Sequence, residues 1–260
     1  MTAHMTDLFF NVAKTVAKTS EGDVDLPILY FDTTNLIAFF LCEQKRVRQI
    51  LSGTGYQPAL NIGNKSVIGI SLYEYRKTSV GVYNEVGLAV PVIREQDKAP
   101  LSKLVDLFSD LEKRKVGFYV VDLPVTTKEA NAAGREIWGY PKFITEIPFS
   151  LKGRNFTCTV KNPDSDGVIM TLSGQIGLGV TTPPMDIVTY TKLDGRDIRT
   201  TVNVRGKVKL SLAGSLQLSV GDSPHPMAEH MRLLGLNGKK PIAVQYTDKF
   251  QSRLNEGRKL

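Results

Sequence analysis

Gly134-Arg135-Glu136-Ile137-Trp138-Gly139-Tyr140-Pro141-Lys142-Phe143 is the stretch on which the reading of this chain turns. Upstream of it, Thr126 or Thr127 can cap a helix that runs through Glu129, Ala130, Ala132 and Ala133 to about Ile137. Glu129, three residues after Thr126, suits a capping box. Gly139 then permits a turn, and Pro141 bars the helix from continuing. Downstream, the chain reads as almost all β. A strand is expected over 143–151, with its later part 147–151 the clearest, then over 156–161, 168–172, 187–192, 199–204, 207–210 and 216–220. Turn signals separate these strands, among them Lys152-Gly153, Asn162-Pro163-Asp164, Leu193-Asp194-Gly195 and Arg205-Gly206. Many short strands with regular turns predict a mainly β fold with a few helices (α+β), either a sandwich or a barrel.

The first half mixes the two periods. Phe9, Val12, Ala13 and Val16 have helical spacing, so a short amphipathic helix is expected over 6–17 with Thr6 or Asp7 as its cap. Residues 20–25 are polar, contain Gly22 and read as a linker. Residues 27–41 form two strands or one long bent one, and 43–52 a helix stopped by Gly53 and Gly55. Strands are expected over 66–75, 83–93 and 116–123, and a helix over about 101–114. A short helix over 226–234, opened by Pro226, and a last strand over 242–246 complete the chain.

Composition bounds the function. The 260 residues carry 33 Lys plus Arg against 26 Asp plus Glu, a net +7, but the basic residues are scattered. A solvated surface accounts for them better than a nucleic-acid footprint. Two cysteines, Cys42 and Cys158, give neither a disulfide framework nor a zinc spacing, and they fit a cytoplasmic protein. No secretory leader and no apolar run long enough to span a membrane is found. His4, His225 and His230 make no metal-binding spacing, so no metal is expected. No nucleotide-binding glycine motif and no Gly-x-Ser-x-Gly elbow is present.

Lys142 supports two readings. Its aromatic and apolar neighbours could desolvate it, lowering its pKa and making it a nucleophile towards ketones. It could equally be a surface lysine after a tight turn. Glu85, on the strand over 83–93, shares a face with Gly87 and Ala89. Small neighbours beside a carboxylate suit a pocket, and they also suit a solvent-facing edge.

Two stretches resemble segments of the acetoacetate decarboxylase family. Gly134-Arg135-Glu136 followed by Tyr140-Pro141-Lys142 is similar to its active-site segment, with the Schiff-base lysine falling on Lys142. Tyr83-Asn84-Glu85-Val86-Gly87-Leu88-Ala89-Val90-Pro91-Val92 resembles the segment that carries the active-site glutamate, which falls on Glu85. His225-Pro226-Met227-Ala228 with Leu233 and Leu234 is a third likeness, in the same order along the chain. The resemblance implies a closed antiparallel β-barrel or cone over 23–260 as a single domain, with 1–22 as a preceding helix and linker. It implies a cofactor-free, homo-oligomeric enzyme acting on a small keto acid such as acetoacetate. Lys142 and Glu85 would be catalytic, and Tyr140, Trp138, Phe143 and Arg135 would contact the substrate. Two departures stand out: the reactive lysine has Pro141 and Phe143 beside it rather than a second lysine, and no arginine precedes Arg46. Aldol or dehydration chemistry on a keto acid, or a non-catalytic ligand-binding barrel, are the alternatives to decarboxylation.

Overall fold

The computed structural model describes residues 7–260. It opens with a hairpin, β1 (Thr15–Thr19) and β2 (Gly22–Leu26). The 16-residue β3 (Ile28–Glu43) leads into α1 (Gln44–Ile50) and the short strands β4 (Tyr56–Pro58) and β5 (Asn61–Ile62). Then come β6 (Lys65–Thr78), β7 (Tyr83–Arg94), α2 (Lys103–Asp106), β8 (Gly117–Asp122) and α3 (Lys128–Trp138). The rest is β9 (Phe149–Lys152), β10 (Asn155–Lys161), β11 (Val168–Gln175), β12 (Gly179–Thr182), β13 (Ile187–Leu193) and β14 (Arg196–Arg205). After these come β15 (Val208–Ser211), β16 (Gln217–Val220), α4 (Pro226–Leu233), β17 (Ala243–Leu254) and β18 (Arg258–Lys259).

Seven strands close a barrel in the order β17-β3-β6-β7-β8-β13-β14, and β14 pairs back onto β17. Every pair in this ring is antiparallel except β8 with β13, which is parallel. The closed barrel implied by the family likeness is therefore present, with one parallel step in it. β9, β10, β11 and β16 form a separate four-stranded sheet.

Alternation along the central strands divides the protein into a core and a cavity. On β6, Ile68, Ile70 and Leu72 point outward, and on β7, Val86, Leu88, Val90 and Val92 do the same. They pack with Phe156, Cys158 and Val160 of β10, Leu218 of β16 with Leu216 just before it, and Met227 and Met231 of α4. Each such fully buried side chain contributes about 1.5–3 kcal/mol, so the main core lies outside the barrel wall. The intervening residues, Gly69, Ser71, Tyr73 and Tyr75 on β6 and Glu85, Gly87 and Ala89 on β7, line the lumen. A slip of one residue would exchange the two sets, and this fixes the register.

Four expectations need correction. The segment read as an N-terminal helix and linker is a turn followed by the β1–β2 hairpin, joined through Gly22 at φ 116°. Val16, counted on the helical stripe, is exposed, whereas Val24 and Leu26 alternate inward on β2. A break at 22/23 would thus fall inside β2. Thr6 and His4 lie outside the described residues. The helix expected over 101–114 is only the four-residue α2. There the Asp106 carboxylate accepts from the Lys115 and Val116 amides, and Arg114 donates to the Ser109 carbonyl, so the chain folds back on itself. The strand expected over 143–151 is regular only from Phe149. Of the two caps offered for α3, Thr127 serves, its hydroxyl accepting from the Ala130 amide, whereas the capping box expected of Thr126 with Glu129 does not form, because Thr126 accepts from the Asn84 amide. Of the two strands or one long bent one expected over 27–41, one long strand forms, beginning at Ile28, with register shifts near Tyr30 and Asp32. Among the described residues no helix is long and apolar enough to cross a membrane.

Candidate active site

Lys142 is delivered to the lumen by the way α3 ends. Gly139 caps the helix in the left-handed region (φ 67°), donating to the Arg135 carbonyl, and the Tyr140 amide donates to that of Gly134. A β-carbon at Gly139 would lie 2.2 Å from the Lys192 carbonyl oxygen, so both conformation and space require glycine here. The chain then runs extended beside 123–125: Leu123 donates to Pro141, Val125 to Phe143, and Thr145 to Val125. On an extended segment Tyr140 and Lys142 face one way and Phe143 the other. The Arg135 guanidinium donates to the Lys142 carbonyl at 2.8 Å and holds this main chain in place.

The stem of Lys142 lies against the helix it follows. A β-carbon at Gly134 would stand 2.4 Å from Cδ and Cε of Lys142, so that glycine makes room for the lysine. Nζ reaches the Glu85 carboxylate, 2.7 Å from Oε2, and lies 5.7 Å from the centre of the Tyr83 ring. Both residues are buried, Lys142 at 6% and Glu85 at 7% exposure. Neither the surface-lysine nor the exposed-strand reading describes them. The other carboxylate oxygen, Oε1, accepts from the Tyr75 hydroxyl at 3.2 Å.

A group of tyrosines surrounds this pair. Tyr73 and Tyr75 stack at 5.1 Å, Tyr75 lies 4.6 Å from both Tyr30 and Tyr83, and the Tyr30 and Tyr83 hydroxyls are 3.1 Å apart. Burial first, and the Glu85 charge next, push the Tyr75 phenol well above the ordinary tyrosine value. Burial does the same to Tyr83 and Tyr140. These phenols stay protonated and act as hydrogen-bond donors or acceptors without adding charge. The sequence reading missed them, although Tyr73-x-Tyr75 on one strand carries the two-residue period that sets both rings on one face, which is the lumen face that Glu85 shares.

Lys142, Glu85 and Tyr140 line one cavity of about 150 Å3, the barrel lumen, to which all seven barrel strands contribute. The other three residues expected to contact substrate do not line it. Trp138 is buried elsewhere, its indole N–H donating to the Asn255 carbonyl. Phe143 packs outside the barrel with its ring 4.2 Å from that of His225. Arg135 is exposed and grips main chain. The segment from His225 forms α4 on the outer core rather than a wall of the cavity. Lys142 is the one cation among the lining residues, and its neighbour is an acid. Activation by an adjacent positive charge therefore has no source there, and the group in contact with the amine is the Glu85 carboxylate. Among the described residues no group of three His, Cys, Asp or Glu side chains is placed to hold a metal ion.

Solved structures show the same architecture. An acetoacetate decarboxylase from Legionella pneumophila superposes with a TM-score of 0.65 at 15% identity, covering 98% of this chain and 95% of that one. An acetoacetate decarboxylase-like enzyme from Sphingomonas wittichii RW1 gives 0.61 at 13%, covering 91% and 94%. The enduracididine biosynthesis enzyme MppR, complexed with the condensation product of pyruvate and imidazole 4-carboxaldehyde, gives 0.60 at 10%, covering 90% and 88%. At these identities the likeness establishes the fold. No curated protein sequence matches the chain. The family profile described as Acetoacetate decarboxylase (ADC) matches residues 15–224, a span that includes both Glu85 and Lys142, and on that match the chain belongs to the acetoacetate decarboxylase family.

Proposed function

We propose that this protein is a cofactor-free carboxy-lyase that removes carbon dioxide from a 3-oxo acid through a Schiff base on Lys142. The observation that carries the reading is the 2.7 Å contact between Lys142 Nζ and Glu85 Oε2 in the cavity of the barrel lumen. Glu85 takes the ammonium proton and leaves a free amine, whose lone pair forms a bond to the keto carbon. The carbonyl oxygen departs as water, carrying one proton from the nitrogen and one from Glu85. The resulting iminium is positive and lies beside the substrate carboxylate, so no further cation is needed to balance that charge. The bond to the carboxylate breaks, its electron pair moves into the iminium, and carbon dioxide leaves a neutral enamine. A solvent proton on the enamine carbon restores an iminium. Water hydrolyses it to the ketone and the amine, and the spare proton returns to Glu85. The Tyr75 hydroxyl on Oε1 keeps Oε2 turned towards the lysine.

Carbon dioxide release from 3-oxo acids tests the reading. Lys142→Arg keeps the charge but offers a guanidinium that is not a nucleophile, and it should abolish release. Release that persists in a folded Lys142→Arg protein would rule the mechanism out. A condensation or dehydration on the same amine is the second reading, favoured by the absence of another cation from the lining and by the product held in MppR. Consumption of a keto acid without carbon dioxide would select it. A non-catalytic barrel would show neither.

We also take the chain to be a cytoplasmic homo-oligomer. Two buried, unpaired cysteines support the first part. Exposed Leu104, Val105 and Phe108 support the second, and light scattering would give the mass.

A further inference from the structure

We infer that the substrate carries an apolar group of about benzene size beyond its keto carbon, seated along the β6–β7 wall of the lumen. The inference rests on the Schiff-base reading of Lys142 and names the substrate class for that same site.

The two ends of the cavity differ in chemistry. Around Lys142 lie the Tyr75, Tyr83 and Tyr140 phenols and the Glu85 carboxylate, so the polar atoms of a 3-oxo acid belong at that end. Moving along β7 away from Glu85, the wall becomes small and apolar. Gly87 stands opposite Ser71, and Ala89 opposite Gly69, which makes a block of four small residues in register. The Ser71 hydroxyl is directed at the Gly87 carbonyl, 3.5 Å away. From Glu85 to Ala89 is four residues, about 13 Å of strand at about 3.3 Å per residue. Beside this block on the neighbouring strands are Ile37 and Phe39 of β3, paired with Ser71 and Gly69, and Val120 of β8, paired with Ala89, and Phe118, Ile187 and the polar Gln245 also line the lumen.

A methyl group in contact with Lys142 would leave this part of the lumen unfilled. The cavity measures about 150 Å3. That volume includes the polar end, and an apolar cavity of about the same size in another protein takes up benzene. A phenyl ring or a short alkyl chain seated on the small-residue wall would have Phe39 and Phe118 of the flanking strands among its lining residues, and it would exclude water from the iminium. A second charged group on the tail would find no partner among the lining residues, so charged dicarboxylic substrates are disfavoured.

The test compares acetoacetate, 3-oxohexanoate and benzoylacetate on the wild-type protein, measuring kcat/KM for carbon dioxide release and borohydride trapping on Lys142. The two larger acids should exceed acetoacetate by at least about tenfold in kcat/KM, the lower end of what an added methylene is worth in an apolar pocket. Gly69→Ala narrows the slot without strain, since its β-carbon would meet Ile37 at 3.9 Å and Phe39 at 4.0 Å. That variant should lower the ratio of benzoylacetate to acetoacetate by about tenfold. If all three acids trap on Lys142 but acetoacetate is the best substrate, or all are equal, the apolar subsite is overturned and the Schiff-base reading stands. If none traps, both fall.

Discussion

Gly134→Ala should disable the site without dismantling the fold. The new methyl would lie 2.4 Å from two carbons of the Lys142 stem, where ordinary contact begins at 3.4 Å, so something must move by 1.0 Å (3.4 − 2.4). The helix backbone cannot yield, because Gly134 lies within α3. The Lys142 main chain is held by Arg135 and by pairing along 123–125, so the side chain is displaced from Glu85. A misplacement of about 1 Å costs on the order of a hundredfold in rate, about 2.7 kcal/mol of barrier. Stability should fall by no more than that. Alanine in a helix interior gains about 0.5–1 kcal/mol over glycine, against about 1–3 kcal/mol for overpacking. The net is between roughly no change and a loss of about 2.5 kcal/mol. The assay is kcat/KM for carbon dioxide release together with the rate of borohydride trapping, on protein shown by thermal melting to be folded. A Gly134→Ala protein that traps and turns over like wild type would refute the placement of the lysine.

Glu85→Gln leaves Lys142 buried without its counter-charge and should cost about 3–5 kcal/mol in urea unfolding. Replacing both residues, Glu85→Leu with Lys142→Met, should bring stability back to near wild type or above. Equal stability of Glu85→Gln and wild type would contradict a buried ion pair. The hydrogen bond that His230 Nδ1 donates to the Asp122 carboxylate raises the His230 pKa above its ordinary value, so the pair's contribution is complete below about pH 6.5 and fades as pH rises through the raised value. The melting-temperature gap between wild type and Asp122→Asn should therefore be wider at about pH 5.5 than at about pH 9. A gap that widens with pH would reverse the assignment.

The elements that build the site were readable because their signals are local. Glu85, Gly87 and Ala89 alternate with Val86, Leu88 and Val90, and that pattern alone makes a strand with a roomy face. Thr127, Gly139 and Pro141 delimit α3 and force the chain to turn before Lys142. Where the reading failed, the deciding contacts were remote or conformational. Phe143 and Trp138 flank Lys142 in sequence, but an extended chain throws Phe143 to the opposite face, and the helix end turns Trp138 towards Asn255. Phe9, Val12, Ala13 and Val16 have helical spacing, yet the partner that decides is β2, which pairs with Thr15–Thr19 through Gly22. The room that Gly134 leaves for the lysine depends on the turn at Gly139, five residues on, which brings Lys142 back against the helix, and no periodicity announces it.

Reductive trapping tests the central claim most directly. The protein is incubated with a 3-oxo acid or its ketone product, borohydride is added, and the peptides are sequenced by mass spectrometry. A single adduct on Lys142, absent without borohydride and absent in Lys142→Arg, is the predicted result. An adduct spread over surface lysines, or none on folded protein with any ketone, would contradict the account.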